Sequence, residues 1–224
     1  TNSLNFSESG WWSRIFSEMK VLIPIVIGLL IVGCGKEQTT NTNESSSTPT
    51  ITAKKKEVKE TPTSTSWVSD PNDPNNVIIE EAIREELNKP TGELTKTDLE
   101  KVTELNLTLA DLTDVTGLGK LSQLKTLYLY SNNLTHVKGL EKLMQLKVLA
   151  LNNNRLTEVK GLEKLTKLEL LILFNNNLTN VKGLENLTQL KELSLHSNYD
   201  LTKAQITELQ KALPKCKITH DAKK

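Results

Sequence analysis

Three histidines and two cysteines are the side chains of this sequence with the chemistry for nucleophilic, acid–base or metal work. An enzyme site needs such groups to converge. His136 falls on a turn just after a strand, His196 on a strand, and His220 in the C-terminal tail, each in a different structural unit. A multi-histidine metal site or a catalytic triad is therefore not expected. No HExxH, GxSxG or phosphate-loop pattern occurs. The expectation is a protein without catalysis, with no metal and no other cofactor.

Amides are the other functional groups placed by a rule. Asn132, Asn154, Asn176 and Asn198 follow one another at a step of 22 residues. Leucines keep the same step in Leu124, Leu146, Leu168 and Leu190, and again in Leu127, Leu149, Leu171 and Leu193. A fixed period of this size marks a stacked repeat, which offers a broad contact face rather than a deep cleft.

One unit runs Leu124-Lys-Thr-Leu127-Tyr-Leu129-Tyr-Ser-Asn132-Asn-Leu134-Thr-His-Val137-Lys-Gly139-Leu140-Glu-Lys-Leu143. Leu127 and Leu129 alternate with other side chains, the period-two signal of a half-buried strand. Leu134, Val137, Leu140 and Leu143 fill the same interior from the return path. Gly139, Gly161 and Gly183 stand where that path bends. The stretch resembles the leucine-rich repeat family, with core L-x-x-L-x-L-x-x-N-x-L, and its length is that of the internalin-type 22-residue class. The resemblance covers about residues 102–201. It implies an α/β-type repeat solenoid, curved and right-handed, with a parallel β-sheet on its concave face. It also implies that the asparagine ladder points inward to bond turn backbone, as a buried amide must.

The first unit, residues 102–123, carries Ala110 in the asparagine slot, and the last inserts Tyr199-Asp200 before Leu201. Terminal repeats have one neighbour each and are expected to be atypical. Helical caps are expected at both ends. Ile79, Ala82, Ile83 and Leu87 share a helical face upstream, ended by Pro90 and Gly92; Thr95 and Asp98 form a capping box. Downstream, Ile206, Leu209 and Leu213 form a stripe stopped by Pro214, and Cys216 and Ile218 alternate with lysines as a last strand.

Residues between the inward leucines point to the opposite sheet face. There Tyr128, Tyr130, Val148, Leu170, Ile172 and Phe174 form an apolar centre, with Asn152 and His196 beside it. An apolar patch with a polar rim is a contact-site signature, and tyrosines are common anchors. The same residue types also simply favour strands. The expected partner is a protein or peptide bound on this concave face, by a monomer. A structural envelope component and a carbohydrate-binding module, with Tyr128 and Tyr130 as stacking platforms, are the alternatives.

The N-terminal third differs in kind. Val21 to Gly33 is an apolar run of 13 residues, preceded by Met19-Lys20 and followed by Cys34. That is short of the roughly 17 to 25 residues that span a bilayer, and matches the core of a signal peptide. Ile31-Val32-Gly33-Cys34 resembles a bacterial lipobox, which implies lipidation of Cys34 after cleavage. A plain secretory signal or a short uncleaved anchor remains the other reading. Residues 35–76 are rich in Ser, Thr, Asn, Pro and Lys, and such a segment is expected to stay disordered as a tether. The expected layout is an upstream extension or early start at 1–18, a signal peptide at 19–33, Cys34 and tether at 34–76, an N-terminal cap at 77–101, five repeats at 102–202, and a C-terminal cap and tail at 203–224. The expected location is the bacterial cell envelope, exported and held to a membrane by the lipid on Cys34. With 28 basic and 27 acidic residues the net charge is +1, and no basic field for nucleic acid exists.

Overall fold

The computed structural model describes Trp67 and residues 70–223. Two compact units divide the chain after Glu57, and every described residue falls in the second, Val58–Lys224. The extension, the signal segment, Cys34 and most of the expected tether lie outside the described residues.

Six short strands form one parallel sheet in chain order: β1 Glu104–Asn106, β2 Thr126–Tyr128, β3 Val148–Ala150, β4 Leu170–Ile172, β5 Glu192–Ser194 and β6 Lys217–Thr219. The register keeps the 22-residue step, so Leu105, Leu127, Leu149 and Leu171 pair in one inward row that Leu193 and Ile218 complete. Return paths carry 3-10 helices at Thr116–Lys120, Leu140–Lys142, Leu162–Lys164 and Leu184–Asn186. Strand-side and return-side leucines meet in one buried core. Burying a leucine is worth about 1.5–3 kcal/mol, so each added coil deepens the same dry interior.

The asparagines make that interior possible. Asn154 accepts at Oδ1 from the Leu134 amide at 3.0 Å, and its Nδ2 donates to the carbonyls of Leu129 (2.9 Å) and Leu151 (3.1 Å). Asn176 and Asn198 repeat the set one and two coils on. Each amide thus ties its own coil to the one before. Asn132 does the same toward the first coil, accepting from Ala110 and Leu112. Ala110 stands in the asparagine slot where there is no earlier repeat to tie.

A helix does that work instead. In α1 (Pro74–Glu86), Asn75 Oδ1 accepts from the backbone amides of Thr113 (2.8 Å) and Asp114 (3.2 Å). This moves the boundary expected at residue 77. Asp73 caps the helix by accepting from the Asn75 amide, and Pro74 supplies a preset φ at the first turn. Further upstream, Trp67 is buried, bridged to Leu94, with Lys120 Nζ 4.9 Å above its ring. The end of the expected tether is therefore part of the fold, because Trp67 buries on the first coil. The helix ends at Glu86, before Pro90, with Asn88 at φ 48°. The Thr95–Asp98 capping box opens α2, Lys96–Leu99. At the other end α3, Lys203–Ala212, opens on a Thr202–Gln205 capping box and buries Ile206 and Leu209. Gln205 Nε2 also donates to the Thr179 carbonyl at 3.0 Å.

The Lys-Gly-Leu-Glu units read from sequence as a solvated face of weak ion pairs. The glutamates have another partner. Glu141, Glu163 and Glu185 accept from the amides of Gly139, Gly161 and Gly183 at 2.5–2.6 Å, closing the turn that starts each 3-10 helix. None of the ion pairs among the described residues involves them. A charge-assisted bond to a fixed amide outcompetes a mobile lysine.

Two predictions follow from this geometry. Asn154→Ala leaves the Leu134 amide and two carbonyls without the side chain that bonds them, which costs about 1–3 kcal/mol for each buried group orphaned. Urea denaturation should show a lower midpoint for Asn154→Ala than for a surface control such as Lys160→Ala. Gly139 has φ 98°, and a Cβ there would lie 2.7 Å from Thr116 Cα, whereas at Gly161 the nearest atom is 3.6 Å away. Gly139→Ala should therefore lower the thermal midpoint more than Gly161→Ala; equal losses would mean that φ strain alone governs both.

Candidate binding face

The outward rows follow from the register. One row runs Glu104, Thr126, Val148, Leu170, Glu192 and Lys217; the next runs Asn106, Tyr128, Ala150, Ile172, Ser194 and Thr219. Thr108, Tyr130, Asn152, Phe174 and His196 lie two residues beyond the second row. All eight residues singled out from sequence lie on these rows, but their exposure differs. Tyr128, Tyr130, Val148, Leu170 and Phe174 are half-buried, and His196 is exposed. Ile172 and Asn152 are each only 7% exposed, so neither presents a free side chain. Parallel strands sit about 4.8 Å apart, close enough for side chains in a row to cover one another. Ala150 leaves a dip between Tyr128 and Ile172, and it too is buried. The face is an apolar surface pressed flat by its own neighbours.

Among the described residues the exposed large apolar side chains lie elsewhere: Leu109, Met144 and Tyr199. Leu109 holds φ 56° at a turn position that Ser131, Asn153, Asn175 and Ser197 occupy in later coils, also at positive φ. Asn tolerates that conformation through local bonding, whereas leucine has no such bond to make. The signal was present as the one apolar residue in an otherwise polar column.

Charges frame the face. Glu169 bonds Lys191 Nζ and pairs with Lys147 Nζ at 3.3 Å, and these contacts hold its carboxyl below the usual carboxylate range. At the β1 end, Glu86 is pushed up by burial first, then by Glu104 and Glu85.

The remaining groups do not assemble a reactive centre. His196 and His220 lie near the C-terminal end, and His136 lies on a turn three coils before His196. A groove of about 350 Å³ lies between α3 and β6, lined by Ile206, Gln210, Lys211, Ile218 and His220 among others. Among the described residues no group of three or more His, Cys, Asp or Glu has the geometry to hold a metal ion. Cys216 is buried, with its thiol pushed up to about 11 by burial and secondarily by Glu192. It is a packing group, since the thiolate is the reactive form. At pH 8, alkylation of the Cys216 peptide with iodoacetamide should be slow in the native protein and fast in urea; equal rates would show the thiol to be accessible and ionised.

The leucine-rich repeat family matches residues 89–214. Among solved structures, an internalin (InlF) of Listeria monocytogenes shares 26% identity at a TM-score of 0.60, over 67% of this chain and 47% of its own. The functional domain of InlJ from the same organism shares 28% identity over 64% of this chain and 35% of its own, with a TM-score of 0.47. A leucine-rich repeat protein of Leptospira interrogans shares 33% identity over 48% of this chain and 28% of its own, with a TM-score of 0.45. The chain thus spans about half the length of the first of these internalins. No curated protein matches it.

Proposed function

The chain belongs to the leucine-rich repeat family, a fold suited to protein–protein interaction, and we propose on that premise that it binds a protein or peptide through the outward, concave face of its sheet. The supporting observation is a cluster of apolar side chains across adjacent outward rows, on a sheet whose inward row from Leu105 to Leu193 is buried. Tyr128, Tyr130, Val148, Leu170 and Phe174 are already half-buried against their neighbours. A surface of this kind gives up little side-chain entropy when a partner settles on it. Its work is recognition rather than catalysis. The likeness to an internalin agrees with a bacterial protein exported to the surface. In this reading Cys34 carries a lipid, and the polar segment after it holds the domain off the membrane as a monomer.

Two measurements test the reading. Tyr130→Ser with Phe174→Ser should weaken binding of partners crosslinked in the native envelope by tenfold or more, about 1.4 kcal/mol, with circular dichroism unchanged. Undiminished capture by the double variant would assign the face to sheet stabilisation alone. For the anchor, Cys34→Ser should abolish incorporation of labelled fatty acid and shift the protein to the soluble fraction; a membrane-bound variant would place the anchor elsewhere.

A further inference from the structure

The sheet face is chemically lopsided. At the β6 end the outward row finishes with Glu192 and, in register with it, Lys217, so an acid and a base share that end although they form no ion pair among the described residues. Next to it, Glu169 is bonded by Lys191 and paired with Lys147. The β1 end has no such balance. Glu104 opens the outward row there, and α1, which packs on β1, brings Glu85 and Glu86 alongside. All three are exposed, and none belongs to an ion pair among the described residues. Their mutual repulsion is felt: Glu104 and Glu85 both raise Glu86, in addition to its partial burial. Like charges held together without a partner destabilise the free protein. The carboxylates do not converge as metal ligands. What suits them is a cation long enough to reach in from the face.

Resting on the binding face proposed above, we infer that its occupant is a peptide segment carrying a lysine or arginine at the Glu86–Glu104 end and an apolar side chain over Val148 and Leu170. The geometry also fixes a spacing. Glu104 lies on β1, Val148 on β3 and Leu170 on β4, two and three strands away. At about 4.8 Å per strand that is roughly 10–14 Å. An extended chain advances about 3.3 Å per residue, so the cation and the apolar anchor stand about three to four residues apart. The segment crosses the strands with its basic end toward α1. Tyr128 and Tyr130 lie on β2 and just beyond it, between the two contacts, where an arginine or lysine stem can also pack on an aromatic face.

The probe is a high-density array of synthetic nonapeptides in a Gly/Ser/Thr background. Each holds one arginine and one phenylalanine at separations of one to seven, with matched peptides in which glutamate replaces arginine. The full-length protein should bind the arginine series at least tenfold above the glutamate series, with a maximum at separations of three to four. Raising salt should reduce that preference, as the contact is exposed. Glu86→Gln with Glu104→Gln should abolish the preference, and Glu86→Lys with Glu104→Lys should reverse it. Equal binding of both series, a preference untouched by the charge variants, or no binding by any peptide would overturn the inference. If peptides bind without regard to charge yet are lost in Tyr130→Ser/Phe174→Ser, the cationic occupant fails while the binding face stands. If the Tyr130/Phe174 variant binds as the parent does, both fall together.

Discussion

A buried amide that faces two coils at once is the constraint on which the described structure depends. Each turn after a strand bends sharply and leaves backbone groups pointing into a core of leucine. Left unbonded, each would cost about as much as a neighbouring leucine gains. One asparagine per coil removes the problem, because its oxygen accepts from the previous turn while its nitrogen donates to carbonyls on both coils. The bond geometry fixes the rise from coil to coil. The 22-residue period, the in-register leucine rows and the parallel sheet are consequences of holding that one amide in place. A glutamine would reach too far and an aspartate could not donate, which suits the asparagine found at each position of the column from Asn132 to Asn198.

The same constraint explains the two ends. The first coil's Ala110 and Leu112 amides are met by Asn132, but its next amides have no preceding coil's carbonyl to reach, as the Thr179 amide reaches Thr157 later in the stack. Asn75 on α1 supplies the missing oxygen to Thr113 and Asp114. At the far end, the turn around Ser197 has no later coil, and its amide is met by the Asp221 carboxylate. Gln205 on α3 reaches back to Thr179 in the same spirit. Both end elements therefore do two jobs: they cover leucine and they complete hydrogen bonds that a further regular coil or an earlier repeat would have completed.

Much of this was legible from residue spacing. The asparagine and leucine columns set the strands, their order and their register, since a period-locked sequence has one way to stack. The capping box at Thr95 and Asp98 was readable because it is local. Asn75 was not, because its partners lie 38 and 39 residues away and no column announces it. Trp67 was hidden for a related reason. It follows a polar stretch whose composition argues against order, and one indole buried against Leu94 and under Lys120 reverses that locally. The Glu141 column was read as an ion-pair face, although its amide partner is only two residues back. Residue charge alone suggests a salt link, but the backbone wins at a turn where Gly139, at positive φ, donates its N–H to Glu141.

The outward face escapes the constraint, and that freedom is what suits it to recognition. Inward positions repeat because the core repeats. Outward positions in the same rows read Glu, Thr, Val, Leu, Glu, with no column held to one residue type. Direction was predictable from strand alternation, yet exposure was not. Whether Ile172 or Asn152 reaches solvent depends on the size of row neighbours, which period-two reasoning does not weigh. Ala150 lowers its row between Tyr128 and Ile172. A repeat scaffold thus separates two problems that a globular enzyme must solve together. The ladder and the inward leucine rows hold the shape, so the exposed positions of the other face can change residue by residue while the core keeps its repeat.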